Sequence, residues 1–125
     1  MDEILENSDC ILQVDFYNEN DSLIVPDTIN YSIYDVISGT SIILNQPVTP
    51  IGNPFEINID ADLNIIIDSA NLYEQRKVII NWTYHNGTKQ KLDEFIYRVK
   101  NPFVQFSGVV LSRGYMPWML RGLLN

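Results

Sequence analysis

Short runs in which apolar and polar residues alternate are the dominant pattern of this chain. FEINID alternates without a break, and the longest run, RKVIINWTY, places Val78, Ile80, Trp82 and Tyr84 on one face. Successive side chains of a β-strand point to opposite faces of its sheet, so these runs predict strands with one buried face. No long segment carries the 3.6-residue apolar stripe of an amphipathic helix.

Turn residues separate the alternating runs. CILQVDFY and TINYSIYD precede NENDS and SGTS, and Asn86-Gly87 is a favoured type I′ hairpin turn before the return strand KQKLDEFIYRVK. Six or seven short strands joined in this way predict an all-β protein, an immunoglobulin-like antiparallel β-sandwich with an extended apolar C-terminal arm. Trp82 is the expected central aromatic residue, and Tyr97 a corner or core residue. A small barrel is the competing architecture.

Three segments complete the predicted organisation. Residues 1–9 form an acidic N-terminal segment, residues 10–100 the sandwich, and residues 101–125 the apolar C-terminal assembly arm, because Asn101-Pro102 interrupts the last strand. Within the sandwich, the proline-rich NQPVTPIGNP reads as an extended connection or an edge. LNIIIDSANLYEQ is compatible with a short strand, a helical turn or an ordered loop.

The charge of −8 is unevenly distributed. Residues 1–75 contain fourteen Asp or Glu and no Lys or Arg, whereas residues 76–125 contain all eight basic residues and two acidic ones. Pairing between oppositely charged strands is the favoured explanation, and an acidic face opposite a basic end is the other. Binding of nucleic acid through the acidic half is disfavoured. The acidic start MDEILENSDC does not resemble a secretory signal, and the single Cys10 excludes an internal disulfide.

Residues suited to catalysis or metal binding are sparse. One His and one Cys exclude a Cys/His zinc site within one chain. Asp60, Asp62 and Asn64 resemble the opening of a calcium loop, but the sixth position is Ile65 rather than Gly, which favours a solvated turn. His85 adjoins the hairpin turn and reads as a surface residue. The sequence therefore predicts no enzyme activity, with no catalytic residue, metal or cofactor.

The last part of the chain is rich in large apolar residues that need a partner surface. It could fold back onto the sandwich, dock on another subunit, or lie on a membrane; Pro117 and Gly122 oppose a membrane-bound helix. Docking on another subunit is the preferred interpretation, with Trp118 as the expected hot spot. The predicted partner-binding residues are Phe103, Phe106, Arg113, Tyr115, Met116, Trp118, Met119, Leu120, Arg121, Leu123 and Leu124.

The stretch IIIDSANLYEQRKVIINWTYHNGTKQKLDEFIYRVKNP resembles small immunoglobulin-like structural proteins of tailed bacteriophages. The shared features are Asp68, Glu74-Gln75-Arg76, Val78, Ile80, Asn86-Gly87, Tyr97 and Val99. The earlier VDFYNENDSLIVPDTINYSIYDVISG is similar to the first hairpin of such domains. The resemblance covers about residues 10–102, so the C-terminal arm lies outside the shared pattern.

This resemblance implies a non-enzymatic component of a phage virion: a head decoration, a head–tail connector or neck protein, or a tail accessory subunit. Its partners would be other virion structural proteins and copies of itself, with no nucleic acid, membrane or small-molecule substrate. It would be made in the host cytoplasm. The alternatives are a carbohydrate- or host-surface-binding module, with Tyr17, Tyr34 and Tyr73 as a stacking surface, and a self-contained cytoplasmic domain with a back-folded tail.

Overall fold

Residues 1–51 and 55–103 form two β-sheets that pack against each other. The computed structural model describes residues 1–51 and 55–103 and, beyond these, only the backbone of residues 120–121 and 123–124. The all-β, two-sheet arrangement predicted from the sequence is confirmed. The strands are β1 (Asp2–Leu5), β2 (Cys10–Val14), β3 (Thr28–Asp35), β4 (Ser41–Val48), β5 (Phe55–Ile59), β6 (Tyr73–Tyr84), β7 (Lys89–Lys100), and the two-residue β8 (Leu120–Arg121) and β9 (Leu123–Leu124), which pair with each other.

The larger sheet has the strand order β1-β7-β6-β3-β4, and the smaller sheet consists of β2 and β5. Strands β2 and β5 are antiparallel, as are all neighbours in the larger sheet except β1 and β7. The pairing of β1 with β7 runs parallel, from Asp2 opposite Tyr97 to Leu5 opposite Lys100. Residues 1–9 were predicted to lie ahead of the sandwich; in the structure, four of them form an edge strand of the larger sheet.

The core lies between the two sheets and is centred on Trp82. Only 1% of its surface is exposed, and its ring lies 4.9 Å from that of Phe16 and 5.1 Å from that of Tyr84. The indole N–H donates a hydrogen bond of 2.8 Å to Asp93, which satisfies the polar group of this buried aromatic. Trp82 is therefore the central aromatic residue that the sequence predicted. The remaining buried apolar residues include Ile29, Tyr31, Ile33, Phe55, Ile57, Ile59, Val78, Ile80, Tyr97 and Val99.

The structure describes most of the two segments that the sequence left open. The first part of the proline-rich segment belongs to β4, an edge strand that pairs with β3 alone among the described strands, so Pro47 removes no hydrogen bond from a central ladder. The segment before β6 contains a 3₁₀-helical turn, Ala61–Leu63, followed by an ordered loop. Of the three alternatives for LNIIIDSANLYEQ, the ordered loop applies to its middle, whereas Tyr73 already belongs to β6.

The β6–β7 hairpin closes through a turn that has the positive φ angles expected of Asn86-Gly87, and His85 before them also has a positive φ, of 52°. Asn86 and Gly87 have φ angles of 55° and 79°, and the Thr88 N–H donates to the His85 carbonyl at 3.1 Å. Positive φ at both central residues is the requirement of a type I′ turn, which Asn-Gly meets at low steric cost. The Gly87 N–H also donates to the Asp27 carboxylate at 2.8 Å, which fixes the hairpin tip against the loop before β3.

A buried ionic network lies at the end of the larger sheet where β3 ends and β6 begins. Arg76, fully buried in β6, donates through Nη1 to Asp35 at 2.9 Å and to Glu74 at 3.1 Å. Its Nη2 donates to the Ile65 carbonyl at 2.7 Å. Because a buried charge is tolerated when it is paired and hydrogen-bonded, the network fixes the loop after β5 and the end of β3 to the same strand.

Ion pairs also account for part of the uneven charge distribution. Glu3 bonds Arg98 at 2.8 Å, Glu19 contacts Lys89, and Asp35 pairs with Arg76, so acidic residues of the first half meet basic residues of the second. The favoured explanation, pairing between oppositely charged strands within one domain, holds for Glu3–Arg98 and Asp35–Arg76, whereas Glu19 lies in the turn after β2.

Candidate docking groove

An apolar groove opens between the two sheets on the side where β2 faces β1 and β7. Its volume is about 420 Å³. The larger sheet extends beyond the smaller one on this side, so side chains that face inward here are only partly covered. Half-buried Phe95 is the clearest example. The apolar lining comes from all the strands around the opening and consists of Ile4, Cys10, Leu12, Ile59, Phe95 and Tyr97.

The free edge of β2 forms one lip of this groove. In the described part of the chain, β2 has β5 as its single neighbour, and the side toward β1 pairs with no strand. Ile11, at the middle of this edge, is 58% exposed. An unpaired strand edge presents backbone N–H and C=O groups that can pair with another extended segment. The groove thus combines an apolar cavity with a sheet edge that can accept a strand.

A buried polar contact closes one end of the groove. The Tyr97 hydroxyl donates to the Asn64 side-chain oxygen at 2.7 Å, and the Asn64 amide donates to the Ser8 carbonyl at 2.8 Å. Burial raises the pKa of Tyr97, so its hydroxyl remains a donor across the physiological range. These bonds connect β7, the loop after β5 and the crossover from β1 to β2. The end wall is accordingly a fixed part of the fold.

Cys10 is a half-buried thiol in the wall of the groove. Burial raises its pKa, and the nearby Asn64 amide, 3.9 Å from the sulfur, opposes this shift only in part. A thiol with a raised pKa is mostly protonated at neutral pH and behaves as a small apolar side chain. Its packing agrees with the inward position that the sequence predicted.

Acidic side chains lie at the rim. Asp2 on β1 and Glu56 on β5 are both exposed and both border the opening, and the Gln13 amide donates to Glu56 at 3.3 Å. No basic side chain lines the groove among the described residues. An occupant with an apolar body and basic side chains near its ends would match this pattern.

A second groove, of about 470 Å³, lies on the opposite side of the smaller sheet, between β5 and β4. Its walls include Glu56, Asp60 and Asp62, and its surface is mainly polar. Burial of large apolar side chains gains free energy in proportion to the apolar surface removed from water. The groove beside β2 is therefore the better candidate for an apolar ligand.

Of the predicted partner-binding residues, the structure describes the surroundings of Phe103. Its side chain is 83% exposed, and its N–H donates to the Asn101 side-chain oxygen at 3.0 Å. The other ten predicted residues, Phe106, Arg113, Tyr115, Met116, Trp118, Met119, Leu120, Arg121, Leu123 and Leu124, lie outside the residues whose side chains are described. The groove itself was not predicted. The inward position of Phe95 was the one sequence signal for the groove. The opposite wall could not be predicted, because Ile4 lies in a segment that was assigned outside the sandwich.

The end of β7 is bonded to both of its neighbours. Lys100 lies between Leu5 of β1 and Tyr73 of β6, and its carbonyl accepts a bond of 2.8 Å from the Glu6 N–H. The Asn101 N–H donates to the Leu72 carbonyl at 2.8 Å, and its side-chain amide donates to the Ser69 carbonyl at 3.1 Å. The larger sheet therefore holds the chain as far as Asn101.

The residues considered for other functions do not converge. Tyr17 accepts a bond from Lys91 through its carbonyl near the hairpin end, whereas Tyr73 begins β6 at the other end and has the Arg98 guanidinium 4.0 Å from its ring centre. Tyr34 lies between these two positions on β3, so the three rings form no common stacking surface.

The remaining candidates have structural contacts. Asn64 of the calcium-like sequence is fully buried and bonded to protein groups, and His85 lies 3.2 Å from Glu19 at the surface. Within residues 1–51 and 55–103, no three His, Cys, Asp or Glu side chains gather as a metal site. The same residues include no helix with the length and apolarity to span a membrane.

Comparison with protein-family models, with curated proteins and with solved structures finds no match to the chain.

Proposed function

We propose that this chain is a non-enzymatic structural protein that assembles with neighbouring subunits through residues 101–125. The observation that carries this proposal is the composition of the core. Within residues 1–51 and 55–103, buried apolar side chains from both sheets form a continuous core that includes Phe16, Trp82 and Val99. Since the described strands form this core among themselves, we assign the apolar residues of the sequence after Phe103 to a contact with a partner.

The finer fold assignment, an immunoglobulin-like sandwich, is part of this proposal. Strands β7-β6-β3 match the order of the G, F and C strands in such domains, and β4 then corresponds to the extra C′ strand of the variable type. Strands β2 and β5 would be B and E of the opposite sheet. This order supports the immunoglobulin-like assignment. The position in a virion, as head decoration, connector or tail accessory subunit, is proposed from the sequence resemblance to structural proteins of tailed bacteriophages.

Energetics favour a partner for the last residues. Each fully buried large apolar side chain contributes about 1.5–3 kcal/mol, and residues 115–124 contain seven of them. Leaving this many exposed invites aggregation, so a stable particle needs a surface that covers them. A neighbouring subunit supplies such a surface, with Trp118 as the expected centre of the contact.

The test compares the full chain with a chain that ends at Phe103. The boundary follows Asn101, because this buried residue bonds to Leu72 and Ser69 and belongs to the sandwich. We expect the shortened chain to keep its melting temperature and to lose self-association in size-exclusion chromatography with light scattering. A melting temperature lower by many degrees would instead place the last residues in the core and overturn the proposal.

The position in a virion has a test of its own. Peptides of this chain should be detected by mass spectrometry in purified particles of the phage that encodes it, in a fixed ratio to the major capsid protein. Particles that contain none of these peptides would overturn the virion assignment, whether or not the chain self-associates.

A further inference from the structure

We propose that the groove beside β2 receives residues 104–125 of a second copy of this chain. This inference rests on the proposed function and extends it, because it names the surface to which the C-terminal arm binds. The arm would lie along the free edge of β2, and its apolar side chains would cover Ile4, Leu12 and Phe95.

The chemistry of the two surfaces matches. Residues 104–125 contain Val, Leu, Phe, Met and Trp side chains and no acidic residue. The groove has an apolar lining, and the edge of β2 beside it pairs with no strand in the described part of the chain. Addition of an extended segment to a sheet edge draws affinity from backbone hydrogen bonds, and pockets for alternate side chains provide specificity. Strand β2 therefore offers the backbone partner, and the cavity between the sheets offers the pocket.

Charge adds to the match. The only charged side chains in residues 104–125 are Arg113 and Arg121, whereas Asp2 and Glu56 border the groove. Opposite charges at the rim of an interface steer association and set its orientation more than they raise its affinity. The polar groove beside β5 is acidic as well, but it provides less apolar surface for the arm.

The occupant is assigned to a second copy because the proposed function places residues 104–125 in a contact between subunits. Strand β7 ends at Lys100, and Asn101 continues its ladder with β6. Twenty-two residues reach about 70 Å when extended, which is ample for a neighbouring subunit. The arm and the groove are different surfaces, so reciprocal exchange of arms gives a closed two-fold dimer, whereas donation in one direction builds rings or filaments.

Disulfide trapping on the full chain tests this contact, because Cys10 in the groove is the only natural cysteine. The natural chain is mixed with a heavier, tagged chain that carries Cys10→Ser together with Phe106→Cys, Met116→Cys or Leu123→Cys. A disulfide between chains of different mass then joins a groove to an arm of another copy. The matched control is Cys10→Ser with Ile37→Cys, since Ile37 is 89% exposed on the β3–β4 turn, outside the groove.

Mild oxidation followed by non-reducing electrophoresis gives the readout. We expect a mixed dimer for at least one arm position and only background for the control. No mixed dimer above background at any of the three positions would overturn the inference. A further test uses a variant that retains Cys10 and also carries one of the three arm cysteines. If this variant forms a disulfide within one chain and no dimers, the arm occupies the groove of its own chain, and binding to a second copy is excluded.

Substitutions at the groove separate this inference from the proposed function. Ile11→Asp is expected to weaken self-association about tenfold, the loss typical of one apolar hot-spot contact, whereas Ile37→Asp should leave it unchanged. If Trp118→Ala abolishes assembly and Ile11→Asp does not affect it, the arm binds elsewhere, and only the inference fails. If Trp118→Ala also has no effect, the proposed function fails with it.

Discussion

Arg76 and Asp35 face each other inside the sandwich, with Nη1 of the guanidinium 2.9 Å from Oδ1 of the carboxylate. The Arg76 side chain is completely buried and also contacts Glu74, while the second oxygen of Asp35 accepts bonds from the backbone N–H and the hydroxyl of Ser38. One cation thus serves two carboxylates, and each carboxylate fixes a separate turn. The Nε of Arg76 has no hydrogen-bond partner in the structure.

Arg76→Met is expected to destabilise the protein by about 3–5 kcal/mol, because it leaves Asp35 and Glu74 buried without their cation. Urea unfolding at pH 7 measures the change. Lys77→Met is the matched control: its ammonium points outward, 3.9 Å from Glu94, and exposed pairs of this kind contribute at most about 1 kcal/mol. Equal effects of the two substitutions would contradict a structural role for the network.

Stability should decrease in acid through Glu74. Burial alone would raise its pKa, but hydrogen bonds from the N–H groups of Ile67 and Asp68, from Asn71 and from Arg76 outweigh burial and lower the pKa below its ordinary value of 4.5. A carboxylate with a lowered pKa stabilises the folded state above the unfolded-state pKa, and this contribution is lost as the pH falls through the folded-state pKa.

Glu74→Gln is expected to be less stable than the natural chain at pH 7, and the difference should shrink as the pH falls below about 4.5. Urea unfolding of both chains between pH 7 and pH 3 measures it. A difference that grows in acid would have the wrong sign for a carboxylate with a lowered pKa.

Asn64→Ala should destabilise the protein by about 1–3 kcal/mol, the usual cost of leaving a buried polar group without its partner. It removes the bonds to the Tyr97 hydroxyl and the Ser8 carbonyl, which lie at the end of the groove. Asn58→Ala, on the exposed face of β5, is the control and should have little effect. Thermal unfolding of the two variants is sufficient, and similar melting temperatures would refute the prediction.

Glu19 should titrate unusually low. The hydrogen bond from Lys89, followed by that with His85, lowers the pKa of its carboxyl from 4.5 to about 2. Lys89→Met should therefore raise this pKa toward 4.5, as followed by the carboxyl carbon signal in an NMR titration. Lys91→Met is the control, since its ammonium donates to the Tyr17 carbonyl at 3.1 Å instead. A Glu19 pKa that stays near 2 without Lys89 would identify another cause.

Alternation of residues predicted the central strands well because one of their faces is buried. Every residue of β3 and β6 that the alternation predicted to face inward is buried. A shift of the strand register by one residue would turn all these side chains toward solvent. Asn86-Gly87 predicted the hairpin turn for a similar local reason, since few residue pairs tolerate positive φ at two successive positions.

Long-range pairing was beyond the sequence pattern. DEIL is too short to show a period, and its place beside β7 depends on a partner more than 90 positions away, as the bond between Glu3 and Arg98 shows. The groove depends on the same pairing, because Ile4 forms one of its walls. Arg76 was noted only as part of a family-like pattern, and its buried pairing with Asp35 required the fold.

The parallel pairing of β1 with β7 imposes an order on folding during synthesis. Ribosomes add about 5–20 residues per second, so Asp2–Leu5 waits for several seconds before Tyr97–Lys100 emerges to pair with it. Until β7 is made, β1 has no neighbour in the larger sheet, because β7 is its partner there. The edge formed by β1 therefore joins the sheet only after β3, β4 and β6 have all left the ribosome.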